Sequence, residues 1–391
     1  MRQLGLDLAK SLAAARAEKP TAVSCYVELD PATVPTATEL ASQVTSLVTA
    51  ARQAAEAAGE DHDVTAHLRA DVDRIAHFLA DGLDRSGANG LALFVSTELE
   101  RWEEVVLPGP VASAVHVGRT FVLVPLLEFL ERDRTVVVAA VGRDRGTLWR
   151  FRSGRVEELA DLGRDGQGQH DQGGWSQARY QRSRDREALD HMRHVAAAIA
   201  EHVAPGSRTL VVVATTEELR AAFELLLETH VRKALLGFTH LEKQEGAREL
   251  VPDVGHMLDA RLRVEREALL TRWRDELGQG AGLASESWPE ALEASWEGRV
   301  EGILVDGRTE VAFECPACGR GYLRAGACDL DGSTLVPALG GALELVVRGT
   351  LLHDGEVRWA PDEIEQPAGI AALFRYAGMP RRGTTVTDQR R

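Results

Sequence analysis

One continuous aliphatic and β-branched run, Thr135–Val141, constrains the fold more than any other feature of this sequence. A run of that length without polar interruption is typical of a strand buried on both faces. A hairpin return at Thr147–Phe151 follows it, and then a long helical stretch at about Ala178–Val203. Strand Thr209–Thr215 and helix Glu217–Leu227 come next. This order predicts a mixed sheet with helices packed on it.

Strand-like and helical stretches also alternate on both sides of this unit. The predicted flanking elements are strand Ala22–Leu29, helices Thr36–Ala58 and Val64–Leu83, extended runs Leu91–Val95, Glu104–Leu107 and Thr120–Pro125, helix Met257–Leu277, strand Gly302–Asp306, helix Pro337–Val347 and strand Glu356–Trp359. A chain of 391 residues exceeds one hydrophobic core. We therefore expect an α/β (α+β) protein of three compact domains, 1–132, 133–252 and 253–391.

Composition narrows the class of protein and its location. Hydrophobic residues make up 44% of the chain and charged residues 27%, as in globular proteins. No apolar run is long enough to span a bilayer, and the N-terminal stretch lacks the apolar core of a signal peptide, so we expect a cytoplasmic protein. The net charge of −15 argues against a nucleic-acid partner, but only the surface that touches phosphate decides binding.

A polar stretch, Gly163–Gly174, separates the hairpin from the long helix and holds five glycines and three glutamines. It is predicted to be an exposed loop. Gly173 and Gly174 let the backbone approach a ligand closely, and the amide of Gln177 can orient a water molecule. From these features alone, a surface loop before a basic helix is the simpler interpretation.

The residues after the glycine pair are suited to RNA. Two aromatic side chains, Trp175 and Tyr180, offer flat surfaces on which an unpaired base can stack. Four guanidinium groups at the start of the helix can bind phosphate: Arg179, Arg182, Arg184 and Arg186. The alternative is that they pair with nearby acidic residues on a solvated face, for instance Arg186 with Asp190.

The segment resembles the Gly-Gly-Gln loop of archaeal and eukaryotic peptide-chain release factors, in which Gly-Gly-Gln-Ser leads into a helix with an Arg-aromatic-X-Arg run. Gly173-Gly174, Ser176 and Arg179–Arg182 hold the corresponding places. The chain is more similar still to the bacterial branch of that superfamily, with its Vms-type peptidyl-tRNA hydrolases. The domain order and the closing segment Ile370–Ala377 extend the resemblance over nearly the whole chain.

The resemblance implies a peptidyl-tRNA hydrolase that rescues stalled ribosomes, with the ribosome and peptidyl-tRNA as partners and neither DNA nor a membrane involved. The backbone of Gly173 and Gly174 would stabilise the oxyanion while Gln177 positions the water. Trp175, however, stands where the release factors have their catalytic glutamine. This favours a non-catalytic alternative, because the related factors Pelota and Balon occupy the ribosome without that loop. A tRNA 3′-end nuclease and delivery by a translational GTPase also stay open.

Three of the four cysteines fall in a pattern that predicts a metal site. Cys315, Cys318, Cys328 and Asp331 form C-x2-C-x9-C-x2-D, two ligand pairs that can enclose a tetrahedral Zn²⁺ of structural role. His353 is an alternative fourth ligand, and unligated thiols or a redox C-x-x-C pair are the alternative interpretations. The remaining cysteine, Cys25, is expected in the core.

Overall fold

The computed structural model describes residues 2–58, 62–80, 88–152, 154–163, 177–240, 246–360 and 369–378. The chain divides into two compact units, one of Met1–Glu131 with Glu265–Arg391 and one of Arg132–Val264. Several sheets with helices confirm the predicted α/β class, whereas the division into three domains stays a prediction. Across the described residues, every helix is too short or too polar to cross a lipid bilayer.

The N-terminal segment of the first unit is built on one sheet. Its elements are β1 (Arg2–Gln3), α1 (Leu6–Ala14), β2 (Ala22–Glu28), α2 (Ala37–Ala58), α3 (His62–Ala80), β3 (Gly90–Ser96), β4 (Arg101–Leu107), β5 (Ala114–Gly118) and α4 (Leu127–Arg132). The strand order is β1-β4-β3-β2-β5. β1 runs parallel to β4, and the other neighbours are antiparallel.

The side chains of β2 divide between two cores, because successive residues of a strand point to opposite faces. Val23, Cys25 and Val27 pack with residues of α2 and α3. Ala22 and Tyr26 belong to the cluster on the other face. Cys25 is therefore the core residue predicted from sequence, and burial raises the pKa of its thiol to about 12.

The second unit contains the mixed sheet. Its elements are β6 (Val136–Val141), β7 (Gly146–Arg152), β8 (Arg155–Asp161), α5 (Gln177–His202), β9 (Leu210–Thr215), α6 (Glu217–Leu226), α7 (Thr229–Ala234) and β10 (Leu235–His240). The strand order is β10-β9-β6-β7-β8. The first three strands are parallel, and the hairpin strands β7 and β8 are antiparallel, so the predicted mixed sheet is confirmed.

The aliphatic run Thr135–Val141, which contains β6, lies at the centre of this sheet and is buried on both faces. Val137, Ala139 and Val141 pack under α5, in a cluster with Val195 and Ile199. The alternate residues of β6 pack in a second cluster with the start of the next long helix. Burial on both faces explains why the run is aliphatic throughout.

The C-terminal segment completes the first unit. Its elements are α8 (Val251–Gln279), which begins in the second unit, β11 (Ala284–Ser285), α9 (Trp288–Trp296), β12 (Val300–Val305), β13 (Phe313–Glu314), β14 (Gly321–Tyr322), β15 (Val336–Pro337), α10 (Gly341–Leu352), β16 (Glu356–Trp359) and β17 (Ile370–Phe374). A four-stranded sheet has the order β11-β17-β12-β16, and a small three-stranded sheet has the order β14-β13-β15.

Several predicted elements differ from the structure, among them the helix predicted at Met257–Leu277, which begins earlier, at Val251. Thr120–Pro125 is not a strand: β5 ends at Gly118, and a 3₁₀ turn follows at Val124–Leu126. The backbone N–H groups of Leu123 and Val124 donate to the carboxylate of Glu344 on α10 at 2.9 and 3.0 Å, so they have no strand partner. The apolar residues are buried nonetheless, which produced the strand-like pattern.

The helix predicted at Pro337–Val347 begins later, at Gly341. Pro337 belongs to β15, and the chain then turns through Gly340 and Gly341, whose φ angles are 70° and 67°. A Cβ on Gly341 would lie 2.5 Å from the carbonyl oxygen of Glu310. Only glycine fits this turn without displacing backbone, so the turn fixes where α10 starts.

Candidate functional site

The glycine loop, which includes Gly173, Gly174 and Trp175, lies outside the described residues. The structure describes the helix that follows it: α5 begins at Gln177 and ends at His202. Ala188, Met192, Val195 and Ile199, spaced by three or four residues, form its buried face. This packing holds the helix on the sheet from Ala188 onward, and its first turns precede that contact.

The basic residues of α5 lie away from its buried face. The helix carries Arg179 and Tyr180 in its first turn, and the side chains of Arg182, Arg184 and Arg186 are exposed. Asp190 does not pair with Arg186 as the alternative interpretation suggested. Its carboxylate instead accepts a hydrogen bond from Arg193, three residues further on, at 2.7 Å.

Acidic groups also lie near this helix. The carboxylate of Asp185 is 3.5 Å from a guanidinium nitrogen of Arg143, in the hairpin turn between β6 and β7. Nη2 of Arg143 also donates to Glu218 at 2.6 Å, on the first turn of α6. These exposed ion pairs are worth at most about 1 kcal/mol each.

The cysteine cluster is formed by two turns of the same construction. In the first, the N–H of Gly319 donates to the carbonyl of Cys315 at 2.9 Å. In the second, the N–H of Gly332 donates to the carbonyl of Cys328, also at 2.9 Å. Both glycines have positive φ, 77° and 74°. Asp331 thus occupies in the second turn the position that Cys318 occupies in the first.

The four predicted ligands converge: the donor atoms of Cys315, Cys318, Cys328 and Asp331 lie within 4.8 Å of one another and can hold a metal ion. The Sγ atoms of Cys318 and Cys328 are 3.7 Å apart. Bonds of about 2.3 Å from a tetrahedral zinc place two sulfurs about 3.8 Å apart, so this spacing fits. Sγ of Cys315 lies 3.2 and 3.5 Å from the two carboxylate oxygens of Asp331, which also fits a sulfur and an oxygen on one ion.

The electrostatics of the fourth position suit a ligand. The backbone N–H of Ser333 donates to Asp331 at 2.8 Å. This bond, followed by one from the Ser333 hydroxyl, lowers the pKa of Asp331 to about 2. The carboxylate is therefore ionised near neutral pH. His353, the alternative fourth ligand, lies outside the group, at the C-terminal end of α10. All four cysteines lie among the described residues, and none forms a disulfide.

The surroundings of the cluster include groups that sequence reasoning missed. Glu314, directly before Cys315, binds both Arg16 and Arg348. The indole N–H of Trp296 donates to the carbonyl of Cys318 at 3.2 Å. These partners come from segments far apart in the chain, and no local spacing could have identified them.

Known proteins are similar to this chain in sequence. Residues 122–256 match the family model described as bacterial archaeo-eukaryotic release factor family 10. A stretch of 251 residues is 26% identical to peptide chain release factor subunit 1 of Thermococcus onnurineus. A stretch of 256 residues is 27% identical to the protein of that name from Thermococcus sibiricus. Each match covers 59% of this chain and spans about 60% of the relative's length.

Solved structures with low sequence identity were also found. One described as a model of ribosome-bound archaeal Pelota and ABCE1 is 17% identical, covers 73% of this chain and 78% of that chain, and has a TM-score of 0.41.

The matched region, 122–256, contains the glycine loop and the start of α5, the segment on which the resemblance to release factors was based. That resemblance is therefore confirmed at the level of the superfamily. The family model, which matches residues 122–256, and the release factor relatives together support membership of the archaeo-eukaryotic release factor superfamily.

Proposed function

We propose that this protein binds ribosomes and hydrolyses the ester bond of peptidyl-tRNA on stalled ribosomes. The supporting observation is the position of Gln177 at the first residue of α5, directly after the Gly173–Ser176 loop and inside the family match. Relatives that match 251 residues or more of this chain are named peptide chain release factors. The ribosome and peptidyl-tRNA are thus the partners we assign, and the cytoplasm is the compartment.

The chemistry follows from groups that the loop and helix offer. The N–H groups in the first turn of a helix have no intrahelical partner, and the helix dipole makes that end positive. These N–H groups and those of Gly173 and Gly174 are suited to stabilising the oxyanion that forms when water attacks the ester carbonyl. The amide of Gln177 can accept a hydrogen bond from the water and donate one to the substrate, which orients the attack. The arginines of α5 would hold the RNA backbone.

Trp175 is the observation that favours a second function. It stands at the position of the release factor glutamine, and its indole has no hydrogen-bond acceptor with which to orient water. A protein that only occupies the ribosome, as a hibernation or stress factor, needs the basic helix but not Gln177. A third outcome, cleavage of the tRNA 3′ end, would use the same loop on a phosphodiester.

We assign the metal of the cysteine cluster as zinc. Three thiolates and one carboxylate whose donor atoms lie within 4.8 Å of one another suit this ion, and all four would be protein ligands, as in structural sites. The ion would hold the two turns together. It supplies no step of peptide release in this proposal.

The proposal is tested by incubating the purified protein with stalled ribosomes that carry peptidyl-tRNA labelled on both the peptide and the tRNA. Free peptide with full-length tRNA supports ester hydrolysis. A shortened tRNA supports the nuclease, and intact peptidyl-tRNA with stoichiometric ribosome binding supports the occupancy factor. The matched control is the Gly174→Ala variant, because a Cβ there restricts the close approach of the loop backbone.

A further inference from the structure

A side chain from the N-terminal segment contacts the backbone of the first cysteine turn. Nη2 of Arg16 donates hydrogen bonds to the carbonyl oxygens of Cys315 and Pro316, at 2.9 and 3.2 Å. Nη1 of the same guanidinium is bonded to Glu314, the residue directly before Cys315. One planar group thus satisfies acceptors on three consecutive residues, the last two of which lie in the first cysteine turn.

The position of Arg16 is itself fixed. Its backbone forms a bridge with Thr120, and the next residue, Ala17, donates its N–H to the carbonyl of Arg119 at 2.7 Å. The hydroxyl of Thr120 accepts a hydrogen bond from Arg348 at 2.5 Å. A second nitrogen of Arg348 donates to Glu314 at 2.5 Å. Arg16 and Arg348 therefore bind the same carboxylate from two sides.

The charge of the metal site explains what these cations contribute. Three thiolates and one carboxylate carry four negative charges, and a divalent ion neutralises two. The side chains of Glu314 and Arg348 are 9% and 8% exposed, so their charges act in a medium of low dielectric constant. Arg16 and Arg348 each bring a positive charge to Glu314, the residue directly before Cys315. These charges favour the negatively charged, metal-bound form of the neighbouring cluster.

Arg16 lies against the first turn: a Cβ built on Gly319 would be in ordinary van der Waals contact with Nη1 of Arg16, at 3.4 Å. Cys315 is fully buried beneath this contact. The N-terminal segment therefore covers the first ligand of the site and orients its carbonyl.

We propose that Arg16 is a positioning residue of the metal centre, so that metal binding and the docking of the N-terminal segment on the cysteine turns stabilise each other. The proposal rests on metal binding by the cluster and is independent of peptide release. Groups that orient metal ligands from outside typically contribute 10- to 100-fold to affinity. Because coupling is reciprocal, metal removal must loosen the segment around Arg16 as much as loss of Arg16 weakens metal binding.

The first test measures zinc affinity by competition with a chromophoric chelator. Arg16→Ala is expected to bind zinc about 10- to 100-fold more weakly than the unchanged protein, and Arg16→Lys, which keeps the charge but not the planar fork, to lie between them. The matched control is Lys10→Ala. Nζ of Lys10 binds Asp354 at 2.5 Å and so also joins the N-terminal and C-terminal segments, but away from the cysteine turns. Its zinc affinity should be unchanged.

The second test follows amide hydrogen exchange at Ala17 with and without a chelator. In the unchanged protein, metal removal should accelerate exchange at Ala17. In Arg16→Ala, exchange should already be fast and respond little to the chelator. Equal zinc affinity in the unchanged protein and Arg16→Ala, or an equally large loss in Lys10→Ala, would overturn the proposal. So would slow exchange at Ala17 after metal removal. The Arg16→Lys variant keeps the test decisive if Arg16→Ala does not fold.

Discussion

Asp331 shows that local sequence spacing can identify a candidate metal ligand. It lies three residues after Cys328, as Cys318 lies three residues after Cys315, and the two turns have the same hydrogen bond to a following glycine. The spacing therefore predicted correctly that these four side chains converge. Arg16 could not be found in this way, because about 300 residues separate it from the turn it contacts. Local motifs identify ligands, whereas the groups that orient them depend on tertiary structure.

Gln177 is the residue on which the proposed chemistry depends most. We expect Gln177→Ala to lose about 10²- to 10³-fold in the rate of peptide release, because the water loses its orienting amide in a preorganised site. Ribosome binding should stay within a factor of about two, since one neutral amide adds little to a phosphate-dominated interface. The measurement is single-turnover release from labelled peptidyl-tRNA on stalled ribosomes.

A matched control for Gln177→Ala is Gln181→Ala, one turn further along α5. It removes the same amide from the same helix, four residues further along the chain. A rate for Gln177→Ala equal to that of the unchanged protein would remove this glutamine from the mechanism. An equal loss in both variants would point to a change in the helix.

Strands could be predicted from the sequence where their buried residues formed a recognisable apolar pattern. β2 and β6 were predicted within one residue at each end, because their apolar residues are buried. β8 was missed: most of its residues are exposed, so it has no apolar period. Thr120–Pro125 was wrongly predicted as an extended run, because its apolar residues are buried as in a strand. Its N–H groups bind Glu344 instead of a neighbouring strand, and Glu344 is 221 residues from Leu123.

The helix α5 allows a direct test of the RNA contact. We expect the double variant Arg182→Ala, Arg186→Ala to bind ribosomes more weakly and to flatten the plot of log affinity against log salt by roughly one to two units. Both side chains are exposed. The matched control is Arg193→Ala on the same helix, whose guanidinium binds Asp190. A double variant with an unchanged salt slope would show that this face is only solvated.

The contact between α10 and the N-terminal segment makes stability depend on pH. Burial raises the pKa of Glu344 from 4.5 to about 7, against the opposing effect of the N–H groups of Val124 and Leu123 and of Arg348. Glu314 raises it further, and Tyr26 also lies near the carboxylate. The folded state therefore holds a proton more tightly than the unfolded state. The contribution of Glu344 to the free energy of unfolding is fully present below pH 4.5 and declines as the pH rises to about 7.

We expect Glu344→Gln to remove this pH-dependent contribution to stability. Between pH 5 and 7.5 the unchanged protein should lose unfolding free energy relative to the variant, because only the unchanged protein carries Glu344. The loss should be at most ~1.4 kcal/mol per pH unit. The amide oxygen of glutamine can still accept from the backbone N–H groups. Urea denaturation at several pH values measures this difference. A difference that is constant with pH would mean that Glu344 titrates as in the unfolded chain.

At the scale of the whole molecule, the net charge of −15 was the weakest guide to function. Acidic residues outnumber basic ones, yet the start of α5 carries a cluster of arginines. The sequence predicted the fold class and the superfamily. It did not predict that the two ends of the chain share one core, in which Leu8 and Leu12 of α1 pack in a cluster with Leu345 and Val346 of α10. Such a core follows from contacts between distant segments that no local pattern encodes.

We expect the purified protein to contain about one zinc per chain, as four protein ligands in one tetrahedral site require. Elemental analysis of protein prepared without chelators measures this. A chelator should then lower the melting temperature of the unit that contains the cluster, because a ligand bound only by the folded state stabilises it by ~2.7 kcal/mol at 100 times its Kd. Asp331→Ala should weaken zinc binding, and protein without zinc would contradict the assignment.

The central claim is that water attacks the ester between peptide and tRNA, and isotope labelling tests it most directly. Stalled ribosomes carrying peptidyl-tRNA are incubated with the protein in water enriched in ¹⁸O, and mass spectrometry is applied to both products. The account predicts one ¹⁸O atom in the terminal carboxylate of the released peptide and a tRNA with an unmodified 3′ hydroxyl. A peptide still joined to a nucleotide, or peptidyl-tRNA that stays intact on protein-bound ribosomes, would contradict it.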